Sequence, residues 1–339
     1  MKPESHERYS RQILFSALGE QGQERLLESS VVIVGCGATG SAAASLLARA
    51  GVGHLRIIDR DYVEASNLQR QNLFDESDAA ESLPKAVAAC KKISAFNSDV
   101  KTDAIVNDLR PENAAELLVG AHLIIDGTDN FETRYLINDY CVQNSIPWIY
   151  SAAVGSYAAT MNIIPGTTAC LTCFFPQAPT GLVETCDTAG ILNSAVNYAA
   201  SVAATEAMKL LTGAPSVRLT FISCDLWTNQ RAEVRADRPR SDCRTCVGRE
   251  FVYLQGRGSA HITLCGRNSV QIHEHSRPID LAEMSRRLTP HGSVRHNQFV
   301  LKFSKPPFEM TLFPDGRAII KGTTDTALAR TLYARYVGN

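Results

Sequence analysis

Apolar residues in the first half of the chain come in short β-branched runs separated by small-residue stretches with helical spacing. Val31 to Val34 is one run; Gly35-Cys36-Gly37-Ala38-Thr39-Gly40 follows it, and then Ser41 to Gly51, which reads as a helix. Leu55 to Asp59 and Leu123 to Asp126 are runs that end in an acid, and Trp148 to Ala152 and Ala158 to Ile164 complete the set. Pro84 suits a first helical turn, which predicts a helix from about Leu83 to Phe96. Strands alternating with helices predict an α/β fold with a doubly wound, mostly parallel sheet, whose ligands lie beyond the carboxyl ends of the strands. Gly35, Asp59 and Asp129 fall at such ends.

The second half changes texture twice. Pro176 to Gly190 holds prolines, glycines and threonines without periodicity and reads as a long, mobile crossover connection that carries Cys186. Ile191 to Leu211 is helical and rich in small residues; Asn193, Asn197, Glu206 and Lys209 interrupt it, which marks a packing helix rather than a membrane span. From Phe251 onward short strands alternate, at Ile262 to Ile272, Gln298 to Phe303 and Glu309 to Ile320, and a helix near Thr324 to Tyr336 closes the chain. The expected division is therefore a domain over 1–250 and a small C-terminal α/β domain over 251–339. No internal repeat is present, which excludes solenoids.

Charge narrows the function classes. The 34 Lys and Arg nearly balance 35 Asp and Glu, so wholesale binding to nucleic acid or an anionic membrane is not expected. The polar start, Met1 to Arg8, lacks the apolar core of a secretory signal, and no run of about 18 apolar residues occurs. A cytoplasmic location is expected, where ten cysteines do not form a disulfide framework.

The glycine loop follows a strand and opens a helix, so its amides and the helix N-terminus suit phosphate, as in Rossmann-like folds. That pattern fits NAD or FAD as well as ATP, and Asp59, 24 residues after Gly35, suits a ribose in each case. The segment Asp59 to Gln71 shifts the balance, because a dinucleotide loop has no need of so dense a polar cluster. ATP brings about four negative charges, and Arg70 and Lys85 are suited to neutralise them. Asp129, in Asp126-Gly127-Thr128-Asp129-Asn130, suits magnesium, whereas Asp126 reads as a turn residue at the strand end. There is no P-loop, nucleophile elbow or kinase catalytic loop. A C-terminal carboxylate, with a pKa of about 3.5, is already ionised at neutral pH and needs no general base to attack phosphorus.

Cys170-Leu171-Thr172-Cys173 and Cys243-Arg244-Thr245-Cys246 have knuckle spacing, and their four thiolates would complete a closed structural zinc site. Redox pairs are the alternative, but the thioredoxin context is missing. Cys186 precedes a helix whose N-terminus would favour its thiolate. Cys36, Cys90, Cys141 and Cys224 read as packed thiols. Cys265 superficially suggests a sulfurtransferase loop, a role rejected because no rhodanese-like pattern precedes it. His273-Glu274-His275 reads as a solvated strand face.

Together, Arg8-Tyr9-Ser10-Arg11-Gln12, the glycine loop, Asp59 to Gln71, Lys85, Thr128-Asp129-Asn130 and the two cysteine pairs resemble the MoeB/ThiF family, relatives of the ubiquitin-activating enzymes. The likeness spans roughly residues 5 to 250. It implies an adenylyltransferase that activates the C-terminal glycine carboxylate of a ubiquitin-like sulfur carrier, MoaD-like or ThiS-like, for molybdenum cofactor or thiamine biosynthesis. It implies that ATP touches Gly35, Gly37, Ala38, Asp59, Asn67, Arg70, Lys85 and Asn130, with Asp59 on the ribose, and that Asp129 binds Mg2+. It also implies structural Zn2+, a homodimer in which Arg11 reaches the neighbour's triphosphate, and a sulfur donor acting in trans. In the family the cysteine matching Cys186 is implicated in covalent linkage to the carrier or to sulfur. Ala38 departs from the glycine of close relatives but keeps the backbone amide. Adenylation of a tRNA base or a peptide, a NAD-dependent oxidoreductase and a non-enzymatic scaffold are the competing readings.

Overall fold

The computed structural model describes residues 3–177, 189–257, 269–273 and 278–338. The chain divides into two compact units, one of residues 1–80 with 84–259 and the other of 81–83 with 260–339.

The first unit opens with helices α1 (Pro3–Ile13) and α2 (Gly19–Glu28) and continues as β1 (Ser30–Val34), α3 (Ala38–Ala50) and β2 (His54–Ile58). After a polar loop come α4 (Glu76–Ala80), α5 (Lys85–Phe96), β3 (Lys101–Ile105), α6 (Ala114–Leu118), β4 (Leu123–Asp126) and α7 (Phe131–Asn144). Then follow β5 (Trp148–Val154), β6 (Tyr157–Ile163), α8 (Leu171–Phe174), α9 (Asn193–Thr212), β7 (Thr220–Asp225) and β8 (Gln230–Arg235). The sheet order is β3-β2-β1-β4-β5-β6-β7-β8. The first five strands in this order are parallel and the last three pairings antiparallel. β1 lies between β2 and β4, so the strand order reverses there and a crevice opens beyond its carboxyl end.

β1 is a continuous apolar run because its last four residues are buried, as helix-covered parallel strands require. α3 and α9 are both alanine-rich and pack on each other, α9 also covering β5 and β6. Small side chains permit that close approach, and α9 is the packing helix its sequence predicts. No helix among the described residues is long and apolar enough to cross a membrane.

The second unit holds β9 (Ser269–His273), α10 (Leu281–Leu288), β10 (Ser293–His296), β11 (Leu301–Lys305), β12 (Phe308–Leu312), β13 (Arg317–Lys321) and α11 (Thr326–Tyr336). Its five strands form an antiparallel sheet in the order β10-β11-β12-β13-β9. Leu301, Phe303, Met310, Leu312, Ala318 and Ile320 alternate into one core with Leu281, Met284 and Leu332 of the helices. The expected strand over Glu309 to Ile320 is two strands joined at Pro314-Asp315-Gly316, where Gly316 takes φ +85°.

Candidate active site and zinc centre

The glycine loop is built by backbone meeting backbone. Gly35 leaves β1 in the left-handed region, at φ +84°, and a Cβ there would lie 2.7 Å from the Gly127 carbonyl oxygen. A Cβ on Gly40 would lie 1.8 Å from the Gly35 oxygen, and one on Gly127 would lie 2.2 Å from that same oxygen. The loop after β1, the first turn of α3 and the loop after β4 are therefore in direct contact. Gly37 differs: a Cβ on it would meet only the Gly127 oxygen, at 3.9 Å. It borders open space at the N-terminus of α3, where the amides of Ala38 to Gly40 have no acceptor within the helix. This is a cradle of phosphate type.

Asp59 at the end of β2 is 8 % exposed. One of its carboxylate oxygens accepts the Cys36 N–H at 2.6 Å and the other the Asp61 N–H at 2.7 Å. Each oxygen keeps a second lone pair for a hydroxyl. Burial pushes the Asp59 carboxyl up, and the Lys85 charge works against that. Lys85 begins α5 and is 3 % exposed; its ammonium lies 3.1 Å from Asp61 Oδ2 and its N–H donates to the Asp61 carbonyl at 2.8 Å. Cys36, packed beneath, has its thiol pushed well up by burial, the opposite of an activated nucleophile.

The polar loop after β2 turns through a short 3-10 helix, Ala65–Asn67, in a capping box: Asn67 Oδ1 accepts the Glu64 N–H at 3.2 Å while the Glu64 side chain accepts the Asn67 N–H. Asn67 and Gln71 are buried, and the Gln71 side-chain oxygen has no donor among the described residues. A buried acceptor of this kind fits a ligand donor. Arg70 is half-buried, with Nη1 on the Ser66 carbonyl at 2.9 Å. Arg60 reaches Asp108 at 2.8 Å; burial opposes its charge, but Asp108, then Asp61 and Asp129, more than offset it.

Beyond β4, Asp126 is wholly buried and its Oδ2 meets Arg134 Nε at 2.9 Å. Its other oxygen accepts the Thr128 N–H at 2.9 Å and the Thr128 hydroxyl at 2.6 Å. Asp126 is thus the turn residue its sequence predicts. Arg134, which the sequence did not single out, also donates to the Thr128 carbonyl at 2.7 Å and lies near the Tyr150 ring. Asp129 is exposed on the shoulder of this turn, and Asn130 caps α7 by accepting the Thr133 N–H at 2.9 Å. The fold brings Gly35, Gly37, Ala38 and Asp129 together through the Gly35–Gly127 contact, and Asp59 and Lys85 through Cys36 and Asp61. Arg11 is exposed in the last turn of α1. Cys186, Cys265 and His275 lie outside the described residues.

The two cysteine knuckles converge. Cys170, Cys173, Cys243 and Cys246 place their sulfurs within 4.8 Å of one another, with 3.8 Å between Cys170 and Cys173, 3.6 Å between Cys170 and Cys243, and 3.4 Å between Cys173 and Cys246. Four thiolates about 2.3 Å from a tetrahedral zinc would stand about 3.8 Å apart, so the donor set fits zinc. The Arg240 N–H donates to Cys173 Sγ at 3.4 Å, outer-shell support for a thiolate. The Thr172 and Thr245 hydroxyls meet at 3.0 Å beneath the cluster. Just beyond it, Tyr253 stacks on Tyr135 with ring centroids 4.7 Å apart, and its N–H donates to Asp139 at 2.8 Å.

The chain matches the ThiF family over residues 9–245. It is 44 % identical to the sulfur carrier protein ThiS adenylyltransferase of Bacillus subtilis over 98 % of this chain and 99 % of that protein. It is 37 % identical to the sulfur carrier protein adenylyltransferase of Thermus thermophilus over 62 % of this chain and 79 % of that one. Among solved structures, E. coli MccB with ATP shares the fold, with a TM-score of 0.63 and 23 % identity over 71 % of this chain and 74 % of that one. The amide cradle, the buried Asp59–Lys85 arrangement and three of the four clustered cysteines occur within the matched region, with Cys246 just past its end, and the chain belongs to the ThiF family.

Proposed function

We propose that this adenylyltransferase uses MgATP to activate the C-terminal glycine carboxylate of a ubiquitin-like sulfur carrier of the ThiS type, giving acyl-adenylate and pyrophosphate. The observation that carries the reading is the cradle at Gly37, with the buried Lys85 ammonium behind it and the Asp129 turn fastened to its rim. The amides of Ala38 to Gly40 bind phosphate oxygens, and the spare lone pairs of Asp59 hold the ribose hydroxyls. Asn67 and Gln71 add buried polar contacts. Lys85 and Arg70 neutralise the phosphates, so that the approaching carboxylate is not repelled, and preorganised charge of this kind is the chief catalytic term. Asp129 is the residue that would hold Mg2+, which would shield charge on the departing pyrophosphate, and Asn130 beside it lines the nucleotide site. The carboxylate is ionised at neutral pH, so no side chain has to remove a proton.

In this reading two copies of the chain pair, and Arg11 of each reaches the triphosphate of the other. Sulfur from a donor acting in trans then displaces AMP, by way of Cys186. The full-length likeness to a ThiS adenylyltransferase supports the thiamine-type carrier over the molybdopterin type. The test is exchange of labelled pyrophosphate into ATP with ThiS-type carrier, MoaD-type carrier and each carrier lacking its terminal glycine. Exchange driven by the intact ThiS type is expected. Release of inorganic phosphate instead, or no exchange with any carrier, overturns the reading.

A further inference from the structure

The ammonium that the proposed reaction brings to the phosphates already has a carboxylate beside it. Lys85 Nζ lies 3.1 Å from Asp61 Oδ2, with the lysine side chain 3 % exposed and the aspartate 19 %, so water and salt screen the pair weakly. The Lys85 N–H also donates to the Asp61 carbonyl at 2.8 Å, which keeps the two backbones together whatever the ammonium does. That ammonium stands near the glycine loop, since its charge bears on both Asp59 and Cys36. A turn of the flexible four-carbon stem therefore carries it from Asp61 toward the cradle. Such a turn leaves a half-buried carboxylate without its nearest cation, and an uncompensated charge of that kind is strongly unfavourable.

Arg60 stands on the other side of that carboxylate. Its Nε lies 3.8 Å from Asp61 Oδ1, the oxygen turned away from the lysine contact, and its Nη1 donates to Asp108 Oδ1 at 2.8 Å. A guanidinium carries donors along both edges of one plane, so a single arginine bridges the loops that follow β2 and β3. Asp129, in the loop after β4, also bears on its charge. The bond to Asp108 fixes one edge of the fork, while the 3.8 Å separation leaves the other edge close to Asp61 but short of a hydrogen bond. Asp61 is thus placed between a near cation on a flexible stem and a farther one that is anchored.

We propose that Arg60 is a positioning residue for the adenylation: as nucleotide binds it takes over Asp61, so that Lys85 turns its ammonium to the phosphates without leaving that carboxylate bare. The inference rests on the function proposed above. Arg60 itself touches no phosphate in this scheme and acts through Asp61 on Lys85. A purely structural brace between the loops after β2 and β3 is the competing role, and the two differ in one respect. A brace matters whatever residue 61 carries, whereas a replacement cation matters only while Asp61 is charged.

The experiment compares Arg60→Gln, Asp61→Asn and the double variant with wild type in the full chain. Labelled MgATP in equilibrium dialysis, without carrier, gives the nucleotide Kd, and pyrophosphate exchange with ThiS-type carrier gives kcat and the ATP KM. Arg60→Gln is expected to raise the ATP Kd and KM about tenfold, because Asp61 then keeps Lys85, with kcat changed less than about threefold. In the Asp61→Asn background the same substitution should change the Kd by less than about twofold, a non-additive cycle. Asp61→Asn alone keeps its backbone contacts and should tighten ATP about threefold, since the competitor for Lys85 has lost its charge. Arg60→Lys keeps the charge and should recover most of the affinity, thermal melts separate lost charge from lost folding, and Asp61→Asn alone still decides if Arg60→Gln does not fold. Wild-type ATP affinity in Arg60→Gln, an equal loss in both backgrounds, or weaker ATP binding by Asp61→Asn overturns the proposal. The expected dialysis cycle beside an absence of exchange with any carrier would instead count against the proposed function.

Discussion

Lys85 and Asp61 hold each other twice, through an ammonium–carboxylate contact of 3.1 Å and through the Lys85 N–H on the Asp61 carbonyl at 2.8 Å. The first contact sets where the positive charge stands, and the second ties the start of α5 to the polar loop after β2. Lys85→Ala should lower kcat/KM for pyrophosphate exchange by at least about a hundredfold. It should also cost about 2 kcal/mol of stability, because buried Asp59 loses the charge that offsets its burial while half-buried Asp61 keeps Arg60, 3.8 Å away. Urea unfolding and exchange assays measure the two effects separately. Wild-type stability in Lys85→Ala would show that the buried charges are better solvated than the geometry implies.

Gly127→Ala tests the weld between the two loops. The added methyl would stand 2.2 Å from the Gly35 oxygen and 2.7 Å from the Gly40 Cα, all backbone that cannot rotate away. A loss of about 1–3 kcal/mol in thermal or urea unfolding is expected, with ATP affinity falling alongside. Gly37→Ala, which meets open space, should leave stability within about 0.5 kcal/mol and weaken ATP alone.

The four-thiol cluster predicts about one zinc per chain in protein purified without chelator, measured by elemental analysis. Cys243→Ser, or prolonged chelation, should release the metal and lower the melting temperature, since the metal ties α8 to the segment after β8. Zinc-free protein of unchanged melting temperature would remove the assignment.

Asp139 predicts a stability trend with pH. Burial holds its carboxyl at about 6 in the folded chain against 3.8 as the ordinary value. The folded state therefore binds the proton more tightly than the unfolded state does. This group's contribution falls as pH rises from about 4 to 6 and is flat above, a total cost of about 3 kcal/mol. Asp139→Asn keeps an oxygen for the Tyr253 and Leu254 N–H groups and removes the buried charge. It should stabilise the protein at pH 7.5 and lose about two-thirds of that advantage by pH 4.5, read by urea unfolding at both values. An advantage independent of pH would point to packing instead.

Arg11, exposed in α1, gives the test for paired copies. Arg11→Ala mixed with Lys85→Ala should recover about a quarter of wild-type exchange, because random pairing rebuilds one complete site in half the dimers. No recovery would place Arg11 in its own chain's site or outside any site.

Much of this molecule was legible because its chemistry is local. The glycine loop, the acid-ended strands and the cysteine knuckles announce themselves by spacing, and each turned up on the expected element. Gln71 was quoted only as part of a polar cluster, since nothing in a sequence says which polar side chain will be buried without a partner. The Asp126–Arg134 pair was half read, because Arg134 finds its role only when α7 folds back over β4. β3 and β8 gave no strand signal: as edge strands their sequences, Lys-Thr-Asp-Ala-Ile and Gln-Arg-Ala-Glu-Val-Arg, stay largely in water and carry no alternation. α10 was missed for a related reason, as eight residues offer barely two turns of pattern.

The contact of Gly35 with Gly127 has a meaning for how this catalyst can change. Because the glycine loop after β1 and the turn that presents Asp129 touch without any intervening side chain, neither can drift in register while the other stays put. A lineage acquiring a different nucleotide or acceptor would have to move both together or leave both alone, and variation is therefore directed to outlying surfaces.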